Sequence, residues 1–564
     1  MSTFNGFAVA GLCLVVLTYG CGTNRQLPQN DPSDDKSTKE RVLSDVAAKW
    51  GIDFEDSPRN RDEYRLPAIM GSGCAVLDFD RNGLLDILLI AADSEDNNCA
   101  LYSQETAGTF VNRTNELGIQ LLQGTGVAVG DCNNDAWPDL YVTADGADSL
   151  WLNVDGRSFR NITRSSGISN HRWGVSACWV DYDRDGWLDI FVTNYVDYVH
   201  QACTRLGGGG ADFCGPHLFP MTPDLLLRNT TGTNGGHVSF ADVSQASGIS
   251  AGLSAGLGVT AKDFTGDGWP DIYVASDQHP NLLWVNHEGR FVNDSVLRGC
   301  DTDFQGHAQA SMGLALGDID HNGTEDLVIS HLDGEAHAVY TESTAGFFTD
   351  RSRETGIAAA TRHTTGFGIA AADFDLNGES ELFTANGRVK RPHNVSSSGD
   401  FREQYGQPLQ HLVPVDGQYQ DAAIPLGKHV ARGLAVGDLD RDGDPDMVVS
   451  TIGGPAVVLQ NLRQNTHQWV VLRVVDLRHG GRSCPGAQLS ISSTNGIFER
   501  TFQPCQSYAG THAAELYVGL GRNNQIHSID VVWPDGDLTA EQFDMQGRMN
   551  EIVTLIRGEG KLVK

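Results

Sequence analysis

Basic residues are scarce in this 564-residue chain: 40 Lys and Arg stand against 72 Asp and Glu, a formal net charge of −32. So acidic a surface repels polyanions, which argues against nucleic acid and acidic lipid headgroups as partners. Long apolar runs are missing too. Residues 4–17 are apolar but too short to span a bilayer comfortably, and no later stretch is longer. There is no H-E-x-x-H, no phosphate-binding P-loop and no C-x-x-C-H. Gly252-Leu-Ser254-Ala-Gly256 matches G-x-S-x-G in form, but that motif needs a strand before it and a helix after it, and Leu257–Ala261 reads as a strand. No catalytic constellation emerges, so a noncatalytic chain is expected.

What the chain has in abundance is acid arranged at fixed spacing. Seven times the pattern D-x-[DNT]-x-[DN]-G-x-x-[DE] recurs, with oxygen donors at positions 1, 3, 5 and 9. The donors are Asp78, Asp80, Asn82 and Asp86; Asp131, Asn133, Asp135 and Asp139; Asp181, Asp183, Asp185 and Asp189; Asp263, Thr265, Asp267 and Asp271. The last three copies supply Asp318, Asp320, Asn322 and Asp326; Asp373, Asp375, Asn377 and Glu381; Asp438, Asp440, Asp442 and Asp446. Position 6 is glycine in every copy but the second, where it is Ala136. Hard oxygens around a sharp turn suit Ca²⁺, and the absence of His and Cys from the donor positions disfavours zinc and copper. An EF-hand needs Glu at position 12; here that position holds Leu89, Val142, Val192, Val274, Ile329, Thr384 and Val449. The flanking runs, such as Gly126-Val-Ala-Val-Gly130 before and Asp189-Ile-Phe-Val-Thr after, read as strands. The loop is therefore predicted to sit inside a β-hairpin. The plainer reading is a set of polar turns, since Asp and Gly are ordinary turn residues. Against it, the loops hold 26 of the 72 acids, a concentration that repels itself unless neutralised. Up to seven Ca²⁺ are expected, with the copies at Asp131 and Asp263 weakest because Asn133, Ala136 and Thr265 replace better residues.

The loop starts lie 53, 50, 82, 55, 55 and 65 residues apart, a spacing that suits four-stranded propeller blades. Each unit continues with an aromatic or Leu/Asn pair, then a Phe, then Gly-Ile, as in Trp151-Leu-Asn153, Phe159 and Gly167-Ile168. The seventh unit lacks this second half, and Asp45-Val-Ala-Ala-Lys-Trp-Gly51-Ile52 supplies a matching fragment ahead of the first loop. The expected fold is all-β: a seven-bladed propeller over 41–462, closed by its N-terminal segment, with an insertion at 195–223 and a small β-domain over 463–564. In that last region six strands are expected, around Trp469–Val475, Ala487–Ser492, Phe498–Phe502, Leu516–Leu520, Ile529–Trp533 and Ile552–Ile556.

Residues 1–21 read as a signal peptide ending in Thr18-Tyr19-Gly20-Cys21, which resembles a bacterial lipobox with Cys21 as the lipidated residue; plain secretion is the alternative. Residues 22–40 read as a flexible tether. Eleven Cys include Cys13 and Cys21, leaving an odd nine. Cys203–Cys214 and Cys484–Cys505 are the expected disulfides, and the connectivity of Cys74, Cys99, Cys132, Cys178 and Cys300 stays open. An exported compartment supplies both oxidant and calcium: the outer membrane, periplasm or cell surface for a lipoprotein, or the medium for a secreted protein.

The loops resemble FG-GAP/VCBS repeats, as in the integrin α-subunit propeller. The full order resembles the cartilage acidic protein family, through Cys214-Gly-Pro216, Asn281-Leu-Leu-Trp-Val-Asn286, Ser311-Met-Gly313 and Arg432-Gly-Leu-Ala-Val-Gly-Asp438. The C-terminal region resembles an ASPIC/UnbV domain at Gly486-Ala487, Gly519-Leu-Gly521 and Trp533-Pro-Asp-Gly536, and departs from it at Arg482-Ser-Cys-Pro485. The resemblance implies a calcium-binding extracellular protein and carries over no catalytic residue. A monomeric binding or adhesion module for a protein or glycan is the leading reading, with membrane contact through a lipid anchor alone. The alternative is a polysaccharide- or ester-active enzyme working in the propeller channel.

Overall fold

The computed structural model describes residues 43–563 apart from 57–62, 92, 94–98, 121–123, 202, 205–209, 393–394, 396–398, 464–466, 523 and 537. The signal segment, Cys21 and the tether lie outside the described residues. Among those described, the fold is all-β and propeller-like. Seven sheets, each built on four antiparallel strands, follow one another along the chain, and the first gains a fifth, parallel strand from residues 510–511. The first comprises Cys74–Leu77, Asp86–Ile90, Cys99–Thr106 and Thr109–Asn112. The first strands of the next six are Gly124–Gly130, Gly174–Val180, Gly256–Lys262, Leu314–Gly317, Gly366–Ala372 and Ala431–Gly437. These first strands lie side by side in chain order, and the seventh also adjoins the first.

The small residues of the first strands have a steric cause. A Cβ on Gly126 would stand 2.3 Å from the Val175 carbonyl oxygen, and one on Gly313 would stand 2.1 Å from that of Phe367. Neighbouring sheets approach so closely here that only glycine fits. The second strands are β-branched and buried throughout, as in Asp189–Asn194.

The seventh sheet takes its fourth strand from the other end of the chain: Leu43–Asp45 pairs antiparallel with Val457–Asn461, Leu43 opposite Asn461. The strand starts two residues before the repeat-like fragment and shares Asp45 with it; the rest of the fragment forms a helical turn, Ala47–Trp50, ending at Gly51 with φ +87°. Trp50 then stacks on Phe110 of the first sheet at 5.9 Å, tying the seventh sheet to the first.

Residues beyond 467 build two further sheets, and all six expected C-terminal strands are present, joined by Ala540–Asp544 and Lys561–Val563. Their core holds Val470, Leu489, Phe502 and Trp533. This part covers the loop end of the seven sheets: Trp469 lies against Gly443, Gly480 against the Asn134 carbonyl, and Glu499 N donates to the Gly323 carbonyl (2.7 Å).

Between its strands the C-terminal part sends one segment, Gln503–Ala513, into the space enclosed by the first strands, where it meets all seven sheets. Gly510 and Thr511 pair parallel with Cys74 and Ala75. Thr511 Oγ1 donates to the Val127 carbonyl (2.9 Å), and Ala509 N donates to Ser176 Oγ (3.0 Å). Gln503 Nε2 donates to the Ala261 carbonyl (3.1 Å), Ser507 N to that of Leu314 (2.7 Å), and Ile369 N to Ser507 Oγ (3.1 Å). Ala513 N donates to the Val436 carbonyl (2.8 Å). Tyr508 at the centre is fully buried, packs on Phe367 and donates to the Met70 carbonyl (2.6 Å).

The cysteines correct one expectation. Cys203 and Cys214 are bonded, but Cys484 and Cys505 are free. Cys484 sits in the core of the C-terminal sheets, whereas Cys505 has left that core with the inserted segment and is buried beside Cys178. Different cores hold the two thiols, so the departure at Arg482-Ser-Cys-Pro485 is not compensated by a bridge.

Trp50→Ala removes a buried ring at the junction of the chain's two ends and is expected to cost about 3–5 kcal/mol of stability. Urea denaturation of the variant against wild type measures it.

Candidate metal loops

Each acidic loop connects the first and second strands of its sheet, and its backbone is held by its own side chains. The position-1 carboxylate accepts from the position-6 N–H in all seven copies, for example Gly83 N to Asp78 (3.1 Å) and Gly268 N to Asp263 (2.7 Å). Position 6 has φ between +84° and +100° in the glycine copies and +67° at Ala136, the left-handed region where glycine carries no Cβ penalty. The position-5 side chain accepts from the N–H two residues on, as Asn82 Oδ1 does from Leu84 (2.7 Å) and Asp267 from Trp269 (2.9 Å), a side-chain turn typical of Asx residues.

The position-9 carboxylate is the best anchored. In the first copy Asp86 accepts from Phe79 N (3.0 Å) and from Gln104 N in the third strand (2.8 Å). Asp139, Asp189, Asp271, Asp326 and Asp446 repeat both bonds. A third-strand amide then reaches back to the preceding sheet. Asn153 Nδ2 donates to the Phe79 carbonyl (2.9 Å), Asn229 to Cys132 (2.8 Å), Asn286 to Tyr182 (2.9 Å) and Asn461 to Phe374 (2.7 Å). Gln104 Nε2 does the same to Leu439 (2.6 Å), linking the first sheet to the seventh. The recurring Leu/Asn pair in the sequence was the visible trace of these ties.

Four copies gather their acids at positions 1, 3 and 9 so that one oxygen of each lies within 4.8 Å of the others: Asp78/Asp80/Asp86, Asp181/Asp183/Asp189, Asp318/Asp320/Asp326 and Asp438/Asp440/Asp446. Oxygens in these groups are buried without a hydrogen-bond donor: Oδ1 of Asp78, Asp181, Asp183, Asp318 and Asp440. An acceptor buried and unserved is costly, and a hard divalent cation is the partner that an all-oxygen set fits. The position-5 residues Asn82, Asp185, Asn322 and Asp442 border these groups.

The other three copies differ. Asn133 turns its amide to Asp135 (2.7 Å), and Thr265 donates toward Asp263 (3.4 Å), so Asp131, Asp139, Asp267 and Asp271 lack an acid at position 3. At the sixth loop an arginine stands among the donors, as Arg228 does at the third, where it reaches Asp183 (2.6 Å) and Asp185 (3.1 Å). Arg463 reaches Asp375 (2.6 Å) and Glu381 (3.5 Å), while His411 lies 3.4 Å from Glu381. Asp373 and Asn377 thus border an internal ion pair, and Arg463, 82 residues from Glu381, is a partner that the nine-residue motif does not reveal.

Burial, reinforced by neighbouring acids, drives the loop carboxyls up: Asp86 to about 8, Asp181, Asp326 and Asp438 to about 7, Asp444 to about 9, and Asp189 and Asp446 well above the ordinary range. Glu515 goes the other way despite its burial, held low by Arg441 and Arg473.

An FG-GAP-like repeat model matches residues 78–142, 131–192 and 263–329, and an ASPIC and UnbV model matches 478–560. The chain joins FG-GAP repeats to an ASPIC/UnbV domain. Cartilage acidic protein 1 of Mus musculus is 24% identical over 527 residues, covering 87% of this chain and 74% of that protein. Its Homo sapiens counterpart is 24% identical over 526 residues, 87% and 72%. Among solved structures, an Agrocybe aegerita lectin that recognises non-reducing terminal N-acetylglucosamine aligns at TM-score 0.35 and 14% identity, over 68% of this chain and 85% of the lectin. The FG-GAP matches take in the five loops from Asp78 to Asp318; those at Asp373 and Asp438 lie outside them.

Ser254, the formal nucleophile, is buried with its hydroxyl 3.3 Å from the Asp224 carboxylate. Ala255 and the strand Gly256–Lys262 follow it, where the nucleophile motif needs a helix.

Two outcomes are expected. Asn286→Ala strands the Tyr182 and Pro270 carbonyls and the Gly289 N–H in a buried site; at the usual penalty for unserved groups the loss is about 3 kcal/mol, read by chemical denaturation. The second concerns pH. In EGTA the raised carboxyls make the folded form hold more protons than the unfolded chain, whose carboxyls titrate near pH 4. Their contribution is present at low pH and lost as pH rises toward 8. Buried His331, His337 and His512 have the opposite sign, and their unfolded imidazoles, half titrated at about pH 6.5, finish by about pH 7.5. Between about pH 7.5 and 8.5 the melting temperature of the metal-free protein should therefore fall; a rise across that window contradicts this electrostatic account.

Proposed function

We propose that this chain is an exported calcium-binding β-propeller protein that acts as a noncatalytic binding or adhesion module. In this reading the seven sheets are blades of one closed ring, with 463–564 as its ASPIC/UnbV partner domain. The observation that carries it is the set of buried, donor-less carboxylate oxygens at the loops of Asp78, Asp181, Asp318 and Asp438. Calcium there would neutralise crowded acids and brace the hairpins; the loops at Asp131, Asp263 and Asp373 are the weaker candidates.

The Cys203–Cys214 bond supports an oxidising compartment. Attachment through Cys21 or free secretion belongs to the same proposal, as do a monomeric state and a protein or glycan partner. No helix among the described residues is long and apolar enough to cross a membrane. The enzymatic alternative placed its chemistry in the central channel, and Gln503–Ala513 occupies that space.

Calcium titration tests the proposal. At a dissociation constant of ~10⁻⁴ M, ~2 mM calcium stabilises by roughly 1.8 kcal/mol per site. The melting temperature should rise clearly on adding calcium to EGTA-treated protein, and Asp446→Asn should blunt the rise more than Asp375→Asn. A melting temperature indifferent to calcium sinks the metal assignment.

A further inference from the structure

The end of the ring opposite the metal loops carries a cavity of about 300 Å³ that the calcium reading leaves unexplained. It lies where the second strands of the third to sixth sheets leave the ring. Tyr195, Asp277 and Leu332 occupy equivalent places, six residues beyond Asp189, Asp271 and Asp326. Met70 and Met312 give it an apolar wall, and Met70 is the residue whose carbonyl is held by Tyr508. The disulfide-pinned insertion contributes Gly215 and Pro216. That insertion is docked firmly: Tyr405 donates to Asp212 (2.8 Å), and Arg391 donates to the Ala211 carbonyl.

Asp277 makes this more than a hollow. It is only 6% exposed, yet it lines the cavity. Its Oδ2 accepts from the Tyr195 hydroxyl (2.6 Å), which fixes the carboxylate, while its Oδ1 is buried with no hydrogen-bond donor. A buried oxygen so placed calls for a donor from outside the chain. Basic groups line the same cavity: Arg388, which is 3.5 Å from Asp333, and the exposed Lys390, whose Nζ lies beside Gly215. Apolar walls, a fixed carboxylate and cations together describe the complement of a small amphipathic zwitterion.

We propose that this cavity binds a small zwitterion with an apolar body, the chemistry of a free aliphatic amino acid, its ammonium on Asp277 and its carboxylate toward Lys390 and Arg388. The assignment deepens the binding-module reading and rests on it. Size agrees, since 300 Å³ is at the small end of ligand pockets.

Calorimetry on the full chain in excess calcium tests it with L-leucine, N-acetyl-L-leucine, L-leucinamide and N-acetylglucosamine as probes. Leucine should bind saturably, with each blocked form at least about 10-fold weaker. Asp277→Asn and the cavity-filling Leu332→Trp should each abolish binding while the calcium-dependent melting shift persists. Failure of leucine to bind, equal binding of N-acetyl-leucine, or an Asp277→Asn variant that binds as wild type overturns the assignment. So does preference for N-acetylglucosamine. An intact calcium shift alongside such a failure leaves the metal reading standing, so the two failures are told apart.

Discussion

Seven first strands face a common centre, and each presents backbone groups there that must find partners. A buried N–H or carbonyl left unserved is costly, and an uncovered strand edge invites pairing with other chains. One segment, Gln503–Ala513, serves backbone groups of six of the seven sheets, by strand pairing at Cys74 and Ala75 and by individual hydrogen bonds elsewhere, and meets the third through Ser176 Oγ. The fold depends on this segment, and it comes from the C-terminal part. That part therefore supplies the centre of the structure as well as its cover. The buried Arg432 belongs to the same centre: its guanidinium donates to the carbonyls of Ile69, Gly387 and Arg388 and lies over Phe367, against which Tyr508 packs. Burial draws its pKa down to about 9, which still leaves it charged at neutral pH.

The acidic loops pose the opposite problem, too much charge in too little space. The chain treats it differently from loop to loop. At the sixth, Arg463 neutralises Asp375 and Glu381 from within. At the second and fourth, Asn133 and Thr265 reduce the charge at position 3. The first, third, fifth and seventh keep three acids converging with oxygens unserved, although at the third Arg228 also pairs with Asp183 and Asp185. In every copy but the sixth, where Glu381 meets Arg463 and His411 instead, both oxygens of the position-9 carboxylate hold backbone N–H groups with no cation needed. That duty explains why position 9 is acidic in the second and fourth copies despite their poorer donor sets.

The repeat was legible because its causes are local. Nine residues contain the turn, the donors and the left-handed position, so the hairpins and the candidate donors follow from spacing alone. The N-terminal contribution to the last sheet was legible as half a unit missing at one end and present at the other, although the paired strand, Leu43–Asp45, starts before the fragment that suggested it. What the sequence hid is what depends on long separation. Gln503–Ala513 contains ordinary Ser, Tyr, Gly and Thr, and its partners lie up to 438 residues away, as Tyr508 and Met70 do. Arg463 is invisible for the same reason. The proposed Cys484–Cys505 bridge failed because two cysteines near in sequence fall on opposite sides of the point where the chain leaves one core for another.

The two ends of the seven-sheet assembly differ in what covers them, and this bears on what each can do. The loop end lies under the C-terminal sheets, with Trp469, Gly480 and Glu499 touching the loops themselves. A cation there would sit between layers of protein, suited to bracing and poorly placed to capture a large partner. The opposite end is covered by the short disulfide-pinned insertion and keeps an open cavity with a fixed, half-served carboxylate. On the two proposals above, recognition would fall to the end without the repeated acids, and the repeated acids would brace the scaffold. The central segment spans the two: anchored in the C-terminal sheets over the loops, it ends its reach at Tyr508, whose hydroxyl holds the carbonyl of Met70 in the cavity wall.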